Sequence, residues 1–181
     1  MSARFLDSDM NSLELSDLAW INQHGCTDIS KLPRRIQENS KRKRVPDIFS
    51  SEEFIFVSNN LKRLIRQFCS SEEVEFAPIE LVSFDGGESI AFNILIPRNT
   101  FKIVDWAQTD HKVVETPRGE FCYISLLRPF YLDAKSKSSS RHLFFEPALI
   151  SSTFFISRKL KDRIIDERIR GIDFIKGEGE D

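Results

Sequence analysis

The chain states one pattern twice. FIFVSNNLKRLI, from Phe54 to Ile65, returns near the end as FFISRKLKDRII, from Phe154 to Ile165, so that Ser58 aligns with Ser157, Leu61 with Leu160, Lys62 with Lys161 and Ile65 with Ile164. In each copy a short apolar run meets a serine, a residue whose hydroxyl accepts from the free amides that open a helix. In the first copy Leu61, Leu64, Ile65 and Phe68 fall at i, i+3, i+4 and i+7, which predicts one buried helix face, with Lys62, Arg63, Arg66 and Gln67 on the other. The second copy carries a looser stripe of Leu160, Ile164, Ile165 and Ile169, with Arg163 and Glu167 spaced to pair on its exposed side and Gly171 placed to stop the helix. Each copy then enters an apolar segment with an acid and a Phe, Val74-Glu75-Phe76 and Ile172-Asp173-Phe174. The expected fold is therefore α+β: a mixed, largely antiparallel sheet with two repeated strand–helix–strand units, 54–82 and 153–176.

Between the copies the strongest signal is a hairpin. Alternating apolar residues from Val74 to Leu81 lead into Asp85-Gly86-Gly87, whose residues tolerate positive φ, and the chain returns with Ile90, Phe92, Ile94 and Ile96 on one face and Ala91, Asn93 and Leu95 on the other. The return strand is expected to be buried on both sides, and Pro78 inside the outgoing strand points to an edge or a bulge. Phe101 to Trp106 reads equally as strand or helical turn. Lys112–Glu115 and Phe121–Leu127 read as two strands around Thr116-Pro117-Arg118-Gly119, and Ala134 to Arg141 as a surface loop. Residues 177–181 read as a frayed tail.

Ahead of the repeat, Leu13, Leu15, Leu18, Trp20 and Ile21 suggest a short helix capped by Ser12 or Ser16 and ended by Gly25. Lys31 to Arg44 holds seven basic residues in fourteen. A nuclear localisation signal, a phosphate-binding arm and a solvated linker all fit such a run. The segment lacks the aromatic residues on which nucleic-acid bases stack, which favours the linker. The domain reading is 1–45 as an N-terminal arm and basic linker, and 46–176 as the folded unit.

Composition limits the partners. With 26 basic and 28 acidic residues the net charge is −2, so no global field draws nucleic acid or an anionic membrane. Cys26, Cys69 and Cys122 form neither a Cys-x-x-Cys pair nor a disulfide framework, as expected in a reducing compartment. The acidic N-terminus does not resemble a secretion signal, and no apolar run approaches the roughly 20 residues that span a bilayer. A soluble, cytoplasmic protein is the expectation.

No pattern of residues announces a reaction. His24-Gly25-Cys26 has no second ligand pair at zinc spacing, so no metal is expected. Asp110 and His111 are strand neighbours that point to opposite faces, and Cys69 sits by a helix end that does nothing to lower its pKa. Phosphate-loop, nucleophile-elbow and zinc-protease motifs are missing. The chain is read as a non-enzyme without cofactor.

The order of the local motifs carries more than any one of them. Pro46-Asp47, Phe56-Val57-Ser58, Leu61-Lys62, Phe76-Ala77-Pro78, Phe92-Asn93-Ile94, Asp105-Trp106, Leu143-Phe144, Ile156-Ser157, Leu160-Lys161 and Gly171-Ile172-Asp173-Phe174, over about Pro46 to Lys176, resemble the immunity-protein families of bacterial polymorphic-toxin systems. The resemblance is nearest to immunity protein eleven, with the similarly built immunity protein forty-three beside it. It implies an effector–immunity pair in interbacterial competition, in which this chain binds a cognate toxin domain and neutralises it stoichiometrically. The motif residues are mostly apolar and would build the scaffold. Toxins that act on nucleic acid or nucleotides have basic clefts, so the resemblance nominates an acidic contact surface: Glu72, Glu73 and Glu75 after the first helix, Asp85 and Glu88 at the hairpin tip. Reversing Glu72 and Glu73 to Lys is then expected to weaken toxin binding. The alternative, a nucleic-acid-binding or regulatory module, would use Lys41, Arg42, Lys43 and Arg44, with steeply salt-dependent binding.

Overall fold

The computed structural model describes residues 3–6, 32, 34–39, 44–51, 54–98, 101–116, 119–124, 130–133, 140–146, 148 and 154–175. The expected helix around Leu13 to Ile21, His24, Cys26, Lys41 to Lys43, residues 134–139 of the surface loop and the 177–181 tail lie outside them. Six strands make the main sheet: β1 (Ala3–Leu6), β2 (Arg35–Glu38), β3 (Ile48–Ser51), β4 (Phe54–Ser58), β5 (Val74–Val82) and β6 (Ser89–Pro97), in the order β1-β2-β5-β6-β4-β3. All neighbours run antiparallel except β2 and β5, which are parallel. The fold is α+β with a sheet-rich core, and its main sheet is mixed and largely antiparallel. Arg35–Glu38 lies inside that sheet, so the linker reading of the basic segment does not apply to those four residues; Ile36, facing Leu81 and 1% exposed, holds them there.

The strand pattern explains why both faces are covered. Along β4, Phe54 and Phe56 turn to one side and Ile55 and Val57 to the other, and all four are buried. One face collects Phe49, Phe54, Phe56, Ile79, Leu81, Phe92, Ile94 and Ile96, with Phe49 stacked on Phe56 at 4.9 Å. The opposite face carries Val57, Phe76 and Leu95 under two helices, α1 (Asn59–Ile65) and α2 (Arg158–Asp166). Residues 92–96 of β6 are buried on both faces, as their sequence requires, whereas Ile90 at its start is exposed.

Pro78 shows how local chemistry and pairing agree. The Glu80 amide donates to Arg34 O on the β2 side, so the equivalent position at 78 faces the same way, beyond the end of β2. A missing N–H there costs no ladder bond, and the register runs through Pro78 opposite Asn93 without a bulge. The hairpin closes through Ser83 N–H to Glu88 O at 2.8 Å, with Gly86 at φ +76°. That dihedral is one an L side chain resists.

Both serines cap helices as expected: the Leu61 and Leu160 amides each donate to the serine Oγ at 3.2 Å. Four details differ from the sequence reading. The first helix ends at Ile65, leaving Phe68 half-buried in the following turn, and Ile165 lies on the exposed side of α2. Gly171 does not stop α2. That helix ends in a Schellman turn, Ile169 N–H to Ile164 O and Arg168 N–H to Ile165 O, with Arg168 itself at φ +54°. Residues 172–175 then form no strand, so the second copy lacks the third element of the first.

A smaller region completes the molecule. β7 (His111–Thr116) and β8 (Gly119–Ile124) form a two-stranded hairpin, and β9 (Leu143–Phe144) pairs with β10 (Phe155–Ile156). The ambiguous 101–106 stretch resolves as an isolated bridge, Val104 to Leu132, followed by a turn in which the Asp105 carboxylate accepts from the Ala107 and Gln108 amides. Buried Glu146 holds this junction by accepting from the Ile103 and Val104 amides at 2.7 and 3.1 Å. No helix among the described residues is long and apolar enough to cross a membrane.

Candidate functional site

The five nominated acids separate into two groups at opposite ends of one hairpin. Eight residue steps along β5 amount to about 27 Å, so the groups do not form one patch. At the near end Glu73 is already engaged: one oxygen accepts from the Ser70 amide at 2.8 Å and the other lies 3.5 Å from the Arg141 guanidinium. Glu75 is ion-paired with Arg98, and Glu72 is exposed. Arg141 and Arg98 thus answer the charge of Glu73 and Glu75.

At the far end the surroundings are different. Asp85 accepts from the Ser83 hydroxyl at 2.6 Å and from the Gly87 amide at 3.2 Å, which fixes the turn while leaving the residue exposed. Glu88 is exposed beside it. Two large apolar side chains stand in the same short stretch, Phe84 at 54% and Ile90 at 46% exposure, and every residue from Phe84 to Ala91 is exposed. Charge alone singles out the acids of this tip and not Phe84, although an aromatic beside a turn glycine pair is legible in the sequence as a candidate anchor.

The residues that carried the family resemblance converge elsewhere, at the junction of the two copies. Asp47 Oδ1 accepts from the Ser58 hydroxyl at 2.8 Å, and Oδ2 accepts from the Arg170 amide at 3.0 Å. Its backbone N–H donates to Arg170 O, and its carbonyl accepts from Ser58 N–H. Gly171 follows at φ +94°, where an added Cβ would stand 2.5 Å from Ile48 O and 2.7 Å from Pro46 Cβ. Glycine is thus required there for close approach as well as conformation. Nearby, Lys62 is not on a solvated helix face: its Nζ donates to Oδ1 of fully buried Asn93 at 2.7 Å, while Asn93 donates to Asn59. Burial, then the Arg66 charge, lowers the Lys62 pKa. This geometry supports a scaffold role for the motif residues.

Of the basic candidates only Arg44 is among the described residues, and it is exposed. Arg35, earlier in the segment, pairs with Glu80 at 3.0 Å on the open side of the sheet. His111 Nδ1 lies 2.8 Å from Thr109 O, and His142 Nδ1 2.8 Å from the Ser157 hydroxyl. Burial foremost, with Glu73 adding and Arg141 opposing, pushes the Cys69 thiol up to about 12. Burial, with Glu146 and Glu120, also raises Cys122. Thiols so shifted stay protonated at neutral pH and are poor nucleophiles. Among the described residues no three His, Cys, Asp or Glu side chains are grouped to hold a metal ion.

One family model matches this chain, that of immunity protein 43, over residues 31–180. The match takes in the basic segment and β2, which the individual motifs did not reach. No curated protein matches the chain.

Proposed function

The chain belongs to the immunity protein 43 family, an immunity family of the polymorphic-toxin type, and from that premise we propose that it neutralises a cognate toxin domain by stoichiometric protein–protein binding. Membership suggests an inhibitor rather than a catalyst. The family match is the observation that carries this reading. The compartment in which a cell would need it is its own cytoplasm, where an effector delivered by a neighbour acts.

The tip of the β5–β6 hairpin is the surface that fits this role best. An interface draws most of its energy from a few anchors, aromatic ones prominent among them, ringed by polar groups that set orientation and approach. Phe84 and Ile90 supply apolar anchors, and Asp85 and Glu88 supply negative charge suited to a basic cleft. The base of the hairpin is buried on both faces, so the tip is held in place before binding and little ordering entropy is spent. Glu73 and Glu75 are engaged by Arg141 and Arg98 at the base of the hairpin, and among the described residues no exposed aromatic stands beside them.

The test is co-expression with the toxin domain encoded beside it, scoring growth and recovery of a stable complex. The wild-type chain is expected to rescue growth. The pair Phe84→Ala and Asp85→Lys is expected to weaken the complex by about a hundredfold or more, an effect within reach of one anchor and one charge. Glu72→Lys with Glu73→Lys is expected to do less. Failure of the wild type to rescue would sink the function; rescue undisturbed by the tip variants would sink only the tip.

A further inference from the structure

We propose that β7 is a self-recognition edge through which two copies of this chain pair into a dimer. The observation is a strand left open on one side. β7 is hydrogen-bonded to β8 and to no other strand among the described residues. On the far side of β8, Cys122 N–H donates to Ala148 O at 2.6 Å, so Cys122 faces away from β7. Its register partner Val113 must then face away from β8. By alternation the backbone groups of His111, Val113 and Glu115 all point outward, and none of them has a backbone partner among the described residues.

The side chains add to this. Val113 is 56% exposed and Val114, on the other face, 39%. A two-stranded hairpin is marginal by itself, and one that shows valine to solvent on both faces is short of a neighbour.

Geometry chooses the neighbour. Antiparallel partners must both face the seam or both face away, so a second β7 can dock with its two-fold axis at an outward residue, 111, 113 or 115, or at a residue facing away, 112 or 114. Centring on Lys112 would oppose two ammonium groups, and centring on Val114 would set Val113 against the Glu115 carboxylate of the copy on both sides of the axis. Centring on Glu115 would oppose two carboxylates. Centring on His111 would set Val113 against Thr109, which is 3% exposed and already engaged by the Tyr131 amide. Centring on Val113 places Val113 against its own copy, His111 against Glu115 of the copy, and the Lys112 stem over Val114 of the copy. An imidazole donor then meets a carboxylate acceptor twice, and no like charges are opposed. The pairing would add about six backbone hydrogen bonds and make a continuous four-stranded sheet. This strand complements itself, which is the reason for assigning a second copy rather than a foreign strand.

The experiment is sedimentation velocity on the full chain from about 1 µM to about 1 mM, the range over which a small interface reveals itself. A reversible monomer–dimer shift is expected. Val113→Pro removes one outward N–H, which an edge strand tolerates in its own fold, and is expected to leave monomer at every concentration. Val113→Cys is an independent readout of register: paired Cα atoms at about 5.5 Å fall within disulfide reach, so oxidation should give covalent dimer beyond that of the parent chain. Lys112→Cys and Val114→Cys should each give none. A chain that stays monomeric throughout, or cross-links equally at all three positions, overturns the proposal. So would a monomer whose toxin complex is lost on Val113→Pro, since the edge would then belong to the toxin.

Discussion

The two copies of the repeat agree at the cap and the first helical turn and differ in the strands on either side. Ser58 and Ser157 have backbone angles within about 10° of one another, −64°/163° and −66°/155°, and receive the third amide at the same distance. Leu61 and Leu160 are both fully buried. On either side of that turn the first copy supplies β4 and β5 to the six-stranded sheet, whereas the second has only the two-residue β10 before its helix and no strand over 172–175 after it. Local instructions were duplicated, and tertiary surroundings decided what each became. A serine cap needs only its own next turn, but a strand needs a neighbour with an open edge.

That contrast gives a matched pair of substitutions with the largest expected effect. Phe56 and Phe155 occupy equivalent positions, but Phe56 is fully buried between β3 and β6 while Phe155 is half-buried against Phe130. Phe56→Ala should cost about 4 kcal/mol and Phe155→Ala roughly half of that, read as shifts in urea midpoint at constant m-value. Leu61→Ala and Leu160→Ala should cost nearly the same, about 3 kcal/mol each. Equal losses at the phenylalanines would mean that the second copy matters to the core as much as the first.

A carboxylate that ties the copies together sets the next effect. Asp47 joins the first cap to the chain after the second helix through Ser58 and Arg170. Asp47→Ala removes two hydrogen bonds to a charged acceptor and should cost about 2 kcal/mol, with hydrogen exchange quickening around Arg170 and Gly171 before it does in β5 or β6. Uniform quickening would show that Asp47 supports the whole sheet rather than the tie between the copies.

What was legible in the sequence follows the same division. The caps, the apolar stripe of the first helix, the Gly86 turn and the doubly buried β6 depend on residues close in the chain, and each was readable. Strand order was not. That β2 would insert beside β5 depends on Ile36 meeting Leu81, a contact across 45 residues for which the basic segment gives no periodic signal. In the sequence Asp47 is half of a Pro-Asp motif and Asn93 one more alternate strand residue, since nothing nearby reveals partners at Arg170 or Lys62. The acids of the hairpin could be named from charge, but that they lie at its two ends, with Glu73 and Glu75 beside Arg141 and Arg98, required coordinates.

The smallest effect tests how each helix is stopped. α1 ends with Arg66 in ordinary right-handed backbone, while α2 ends with Arg168 at φ +54°, where a side chain collides with its own carbonyl. The Schellman hydrogen bonds and the packing of Ile169 against Ile164 hold that residue in place against the strain. Glycine adopts the angle freely but loses more entropy on folding, so the net gain from Arg168→Gly should be about 1 kcal/mol, seen as a rise of a few degrees in Tm. The side chain is exposed in a cleft of about 370 Å³ lined by Asp47, Arg63, Glu167 and Arg170, and gives up no buried contact on removal. Were the variant less stable instead, the guanidinium would be contributing to that charged cluster more than its backbone costs, and the end of the second helix would be held by side-chain charge rather than by its turn.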